Sequence, residues 1–418
     1  MSGRGVKSPV VVVLSTLDTK GAEANFLREC LEAGGSRPVL VDIGVLGEPR
    51  TMPDVSNEEV ARRGGMLLAD LRRDPDRQTA SPVMIRGATA LLAEYLERGE
   101  LQAVIGLGGT QGTSNATAVM RSLPYGLPKV MVSTMASGDV SAFVDIKDIT
   151  MMFSVGDLLG LNPLTRKILA NAAGAACGMA AVEIDLDSST GEKPVVGLTN
   201  LGVLTEGAER AIAALEQAGC EVLVFHAVGS GGRAMEQLIK EGVITAVFDY
   251  ALGEISDELF GGLRAGTPER LTVAASMGLP QVLCPGGAEH IGLFVDPPET
   301  VPQEWEEHLH VFHNPVILAP RLDGQQLERV GAEIGARLKG VTGRTCLFLP
   351  KGGVSRYSKR GGPLADEEGD ALFFEALRKH LPPAVELVER EEDAEDEAFV
   401  GAAVKKLVAL IGEGARPS

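Results

Sequence analysis

The amino-acid sequence predicts an α/β protein: two Rossmann-like domains with mainly parallel sheets, joined by a short linker. Short runs rich in Val and Ile recur along nearly the whole chain, each followed by a Gly or Thr loop and then a helical pattern, the signature of repeated βαβ units. Most of these runs are continuously apolar rather than alternating, as strands covered on both faces require. The polar, aperiodic stretch 185–194, DLDSSTGEKP, divides the repeats into two sets.

In the first half the expected strands are 10–14, 38–43, 103–107, 129–133 and 149–153, with a helix over 22–33 after the first. The run 169–182, made largely of Ala, Gly, Met and Cys, reads as a helix packed closely on a neighbour, with the domain junction as a candidate place. In the second half the expected strands are 195–199, 221–226, 246–250, 281–284, 316–319 and 345–349. The domains are therefore 1–184 and 194–418. Within the second, the segment 385–412 holds an acidic cluster at 389–397 and an amphipathic helix over 399–411 that docks on the outside. Both halves open alike, with a strand ending at Thr, a loop, Gly-Ala-Glu at 21–23 and 207–209, and a helix closing in Ala-Gly at 33–34 and 218–219. This is a short sign of a duplicated plan.

Composition narrows the function. The chain has 418 residues with 39 Lys+Arg against 57 Asp+Glu, a net charge of −18 that argues against nucleic acid or an anionic membrane as partner. The 44% hydrophobic content suffices for a core in each domain and excludes disorder as the main state. Glycine numbers 51, roughly one residue in eight against the usual ~7%, while aromatics are 4%; backbone-built loops of this kind suit a nucleotide better than a peptide or sugar. The five cysteines are scattered and lack metal-ligand spacing, which suggests a reduced, cytoplasmic interior. The first apolar run is about six residues, short for a signal segment or membrane span.

Three loops at the carboxyl edge of the first sheet carry the strongest chemistry. Thr16, Asp18, Thr19 and Lys20 follow the first strand and precede a helix, where partial positive charge favours phosphate or carboxylate. Gly108, Gly109, Thr110, Gly112 and Thr113 follow the third, with glycines for close backbone approach and hydroxyls beside free amides. Thr134, Ser137 and Gly138, with Asp139, follow the fourth. Asp42, near the end of the second strand, sits where a ribose-binding acid often sits, with a structural role equally open. In the second half, His226, Gly231, Gly232 and Arg233 open a helix suited to a substrate anion. Asp249, Glu254 and the histidines His226, His290 and His313 are candidate acid–base groups, with the metal, if there is one, unknown. A further glycine loop, 350–355, has two readings, an anion clamp through Lys351 or a loop with a solvated lysine. Trp305 reads as an edge or interface anchor.

At these loops the sequence resembles the ATP-binding domain family typified by the tomato mosaic virus resistance protein, long catalogued as an uncharacterised protein family. The matching stretches include TLDTKG at 16–21, GGTQGT at 108–113, LPYGLPK at 123–129, SGD at 137–139, GGRAME at 231–236 and His313-Asn314. The chain departs from the family at Ser15, where Gly is usual, at 250–254, where Thr-rich residues are usual, and at Glu289-His290, where Asp is common. The resemblance implies two Rossmann-like domains, an adenine nucleotide on the first-domain loops, and self-association as a homo-oligomer.

The resulting expectation is a cytoplasmic ATP-binding protein, with Mg²⁺, that acts as an ATP-dependent transferase or ligase on a small anionic metabolite at the interdomain cleft. In it Lys20 and the amides of 108–113 neutralise the phosphates, Asp18 or Asp139 helps to hold Mg²⁺, and Asp249, Glu254 or His313 serves as base. Two alternatives stand beside it: a nucleotide-sensing or interaction module without turnover, and a lyase or hydrolase of small organic acids that uses the second-domain site.

Overall fold

The computed structural model describes residues 8–73, 76–182 and 193–414, and the chain divides into two compact units, Met1–Ile184 and Asp185–Ser418. Residues 185–192 of the expected linker lie outside the described residues.

The first unit is one parallel sheet of β1 (Val10–Ser15), β2 (Arg37–Asp42), β3 (Ala103–Gly108), β4 (Lys129–Ser133) and β5 (Thr150–Phe153), in the order β2-β1-β3-β4-β5. β1 and β3 are buried along their whole length, which is why their sequences do not alternate. The Ala-rich stretch forms helix Pro163–Ala180, opened by an Asn162–Thr165 capping box. It packs inside this unit: Leu169, Ala172, Ala173 and Ala176 share a core with Val11, Val13, Leu17 and Leu27.

The second unit repeats the plan. β6 (Val195–Asn200), β7 (Glu221–His226), β8 (Ala246–Ala251), β9 (Gln281–Gly286), β10 (Leu293–Phe294), β11 (His310–Asn314), β12 (Ile317–Pro320), β13 (Thr345–Pro350) and β14 (Val385–Arg390) form two sheets. The main one is parallel in the order β14-β13-β9-β8-β6-β7. Read from β7, this is the order of the first unit with one strand added at the far edge.

Three expectations change here. The run expected at 316–319 is β12, which pairs antiparallel with β10 and β11 in a small side sheet; Pro315 and Pro320 bracket it and lack the N–H a central parallel strand would need. β14 lies at the start of the acidic segment as an edge strand, and its alternation, VELVER, gives no continuous apolar run. Trp305 is buried in the second unit's core, its ring tilted at 57° to that of His308 beside it, and is not an edge anchor. The last helix, Glu397–Gly414, covers the main sheet through Phe399, Val400, Ala403, Val404, Leu407 and Leu410. Among the described residues no helix is long and apolar enough to cross a membrane.

Candidate functional site

At the carboxyl ends of β1, β2 and β3 the first unit has a cavity of about 370 Å³, within the range of small-molecule pockets. The strand order runs outward from β1 in both directions, so neighbouring connections leave on opposite faces and open a crevice there, the usual ligand position in such sheets. Thr16, Asp18, Thr19, Lys20, Gly109, Thr110 and Gly112 line it, together with Arg77, Ser81, Gln111 and the loop after β2.

Local geometry explains the convergence. The first helix is Leu17–Ala33, five residues longer at its start than the expected 22–33, so Asp18, Thr19 and Lys20 sit on its first turn. The turn is irregular at Lys20, with φ −120° and ψ 20°. Helix Thr110–Arg121 starts directly after Gly109. Neither N-cap, Thr16 or Gly109, supplies a side-chain acceptor to the amides behind it. Two helix N-termini with partial positive charge thus face one cavity that also carries Lys20 and Arg77. The Lys20 ammonium donates to the Leu158 carbonyl; with three N–H donors it has others to offer. Asp18 Oδ2 accepts from Gly47 N at 3.2 Å and so shapes the opposite wall.

The remaining first-unit residues have other roles. A Cβ on Gly108 would meet Gly112 Cα at 2.8 Å, so that glycine lets the helix start close to the strand. The buried Thr113 hydroxyl hydrogen-bonds Ser133 Oγ at 2.7 Å and ties the helix to β4. Thr134 lies beside Gly109 but outside the lining, and Ser137 and Gly138 are exposed in a turn whose Asp139 accepts from Ser141 N at 2.9 Å. Asp42 is buried and accepts from Leu17 N (3.1 Å) and Gly44 N (2.9 Å), so it holds the helix start and is not a ribose ligand on the cavity wall. Burial raises its pKa, and those two amides oppose the shift. Ser15 is buried as well and does not crowd the cavity.

In the second unit the expected acid–base set separates. Asp249 and Glu254 are fully buried counter-ions of Arg270: Asp249 takes Nη1 at 2.5 Å, and Glu254 takes Nε at 2.7 Å. Asp249 also accepts from the Thr199 hydroxyl at 2.7 Å. Glu254 Oε1 further accepts from Gly229 N (2.6 Å) and Gly232 N (3.1 Å), so the protein's own carboxylate fills the anion position at the start of helix Ser230–Lys240. Gly232 permits this, since a Cβ there would meet Glu254 Oε2 at 2.0 Å. Gly231 and the half-buried Arg233 belong to the same first turn. With their lone pairs committed in this way, Asp249 and Glu254 are not placed as solvent-facing bases. Lys351 pairs with Glu391 at 2.6 Å. The histidines do converge: His226, His290 and His313 line a second cavity of about 310 Å³. Among the described residues no group of three or more His, Cys, Asp or Glu is placed to hold a metal ion.

Two family models match the chain, the N-terminal domain of the uncharacterised protein family UPF0261 over residues 9–185 and its C-terminal domain over 193–411. The chain belongs to the UPF0261 family. A UPF0261 protein of Clostridium tetani is 40% identical over 402 residues, covering 96% of this chain and 98% of that protein. One of Rhizobium meliloti is 41% identical, covering 88% and 90%. The tomato ToMV susceptible protein tm-1(GCR26) is 32% identical over 90% of this chain, which spans 52% of the tomato protein. Among solved structures, UDP-N-acetylglucosamine 2-epimerase from Rickettsia bellii aligns over 97% of both chains at 11% identity and a TM-score of 0.24, too slight a likeness to bear on site or reaction.

In this UPF0261 chain the polar lining side chains that sequence reading missed include Arg77 and Ser81 in the first cavity and Arg264 and Tyr357 in the second. Arg77 and Ser81 sit on helix Arg77–Glu97, between β2 and β3, with no glycine loop to mark them. Arg264 and Tyr357 each follow a glycine pair, Gly261-Gly262 and Gly352-Gly353, a signal that was present but pointed to the loops themselves.

Proposed function

We propose that this protein binds an adenine nucleotide, ATP, in the first unit's cavity, with its phosphates against the starts of helices Leu17–Ala33 and Thr110–Arg121. The main support is the meeting of two helix N-termini, whose N-cap residues give no side-chain acceptor and of which Asp42 takes only Leu17 N, on one cavity that also carries Lys20 and Arg77. A polyphosphate supplies the acceptors these donors need. The resemblance to the ATP-binding family narrows the class to adenine nucleotides. Asp18, Thr16 and Thr19 offer oxygen donors of the kind Mg²⁺ takes, and the ion would add charge neutralisation on the phosphates. The test is calorimetric titration of Arg77→Ala beside the unaltered protein. A loss of roughly tenfold or more in ATP affinity is expected for one charge-assisted contact, and unchanged affinity removes the Arg77 wall from the site.

A further inference from the structure

We propose that the cavity in the second unit is a separate small-molecule site, built for an organic carboxylate with an apolar body. It is independent of the nucleotide reading, because all its lining residues belong to the second unit. In a chain of net charge −18, this cavity has Arg264, three histidines and Tyr357 on its wall and no Asp or Glu. The rest of the wall is largely aliphatic, with Leu201, Val228 and Ile317 among its members.

Arg264 and His226 are held by atoms behind the wall, and His290, His313 and Tyr357 by neighbours in it. Arg264 is 6% exposed; its Nε and Nη2 bind Asp257, and Nη2 also donates to the His290 carbonyl at 2.9 Å. Nη1 lies 3.3 Å from His290 Nε2, and since two N–H groups cannot face each other at that distance, Nε2 accepts. The second N–H of Nη1 has no partner among the described residues. A buried guanidinium with an unsatisfied N–H at a cavity wall calls for an acceptor from the ligand. Asp257 offsets the net charge, so recognition rests on directed donation. His226 Nδ1 lies 3.3 Å from the Asn200 carbonyl oxygen, which makes Nδ1 the donor and turns Nε2 toward other partners. His313 Nδ1 and the Tyr357 hydroxyl are 3.3 Å apart.

This arrangement offers donors for a carboxylate and aliphatic walls for its carbon chain. The three-carbon to six-carbon monocarboxylates, plain, 2-hydroxy and 2-oxo, are the matching class, and 310 Å³ accommodates them. The test uses the full chain with ¹⁵N-labelled histidine. The His226 and His313 ring signals are assigned by His226→Gln and His313→Gln, both exposed side chains whose replacement leaves the core intact. Monocarboxylates of that series are titrated against their primary amides, and a circular-dichroism thermal melt is recorded on each sample as a check of folding. The expected result is a saturable shift of the His226 and His313 signals by at least one acid, with its amide at least tenfold weaker and the His380 signal unmoved. His226→Gln should weaken that acid about tenfold while the thermal melt stays as in the unaltered protein. No saturable shift with any acid of the series overturns the site, and an amide that binds as tightly as its acid overturns the carboxylate assignment.

Discussion

The two units share a strand order and place a cavity at the same edge of the sheet, yet they treat that edge in opposite ways. In the first, the N-cap residues of the helices after β1 and β3 give no side-chain acceptor, and Asp42, outside the cavity lining, takes one helix amide, Leu17 N; Lys20 and Arg77 lie beside them. In the second, the protein's own carboxylates occupy the helix starts: Glu395 accepts from Glu206 N at 3.2 Å after β6, and Glu254 accepts from Gly229 N and Gly232 N after β7. In the first unit the leading amides of the helix after β3 take no carboxylate of the chain among the described residues. The second unit fills such positions internally and builds its cavity from histidines, Tyr357 and Arg264 instead. A glycine loop before a helix is therefore not sufficient evidence of a phosphate site; what matters is whether a carboxylate elsewhere in the chain already lies on it.

The internal filling is breakable. Arg270 is the common partner of Asp249, Glu254 and Glu236, with Glu236 Oε1 3.6 Å from its Nη1. Arg270→Leu leaves three buried carboxylates without their cation, and a loss of about 3–5 kcal/mol is expected in denaturant unfolding followed by second-unit probes. A loss below about 1 kcal/mol would show that Arg270 does not hold the second unit's edge together.

The same cluster gives the second unit a marked pH signature, to which Asp42 of the first unit, also raised by burial, adds a slope of the same sign. One guanidinium cannot balance three carboxylates, and Glu236, whose Oε2 is buried without a partner, is the least well bonded. Burial, reinforced by the charge of Asp249 and opposed by Arg270, raises its pKa from 4.5 to about 7. Between those values the folded state binds more protons than the unfolded one, so stability falls as pH rises from 4.5 to 7, by on the order of 3 kcal/mol. Asp370, raised by burial to about 6, adds a slope of the same sign over a narrower window. Glu236→Gln should remove most of the slope, and a slope unchanged in that variant would mean that Glu236 is ionised throughout.

In the first unit the expected effects fall on affinity. Lys20→Ala should weaken ATP binding by about 1.5–3 kcal/mol, the range for a hydrogen bond to a charged group, with stability nearly unchanged. Thr113→Ala should do the reverse: its hydroxyl is spent on Ser133, so about 1 kcal/mol of stability is lost while affinity, read by calorimetry, stays within twofold.

The strands were legible because both sheets are covered on both faces, and continuous apolar runs such as 10–14 and 103–107 mark them. What escaped lacked that pattern: β14 alternates, and β11 carries His310 and His313 on an exposed hairpin. The first cavity's βα loops could be read because residues near in sequence, Thr16 to Lys20 and Gly109 to Gly112, meet within one sheet edge. Arg77 could not, because it comes from a helix with no local mark, nor could Glu254's place on Gly229 and Gly232, which depends on a contact across more than twenty residues.

The most direct measurement of the difference between the units is calorimetric titration of the nucleotide-stripped protein with ATP and with adenosine, each with Mg²⁺. Phosphate recognition by the open helix starts of the first unit predicts saturable ATP binding, with adenosine at least roughly a hundredfold weaker, since it lacks the groups those amides, Lys20 and Arg77 would bind. Absence of ATP binding, or adenosine bound as tightly as ATP, would contradict it.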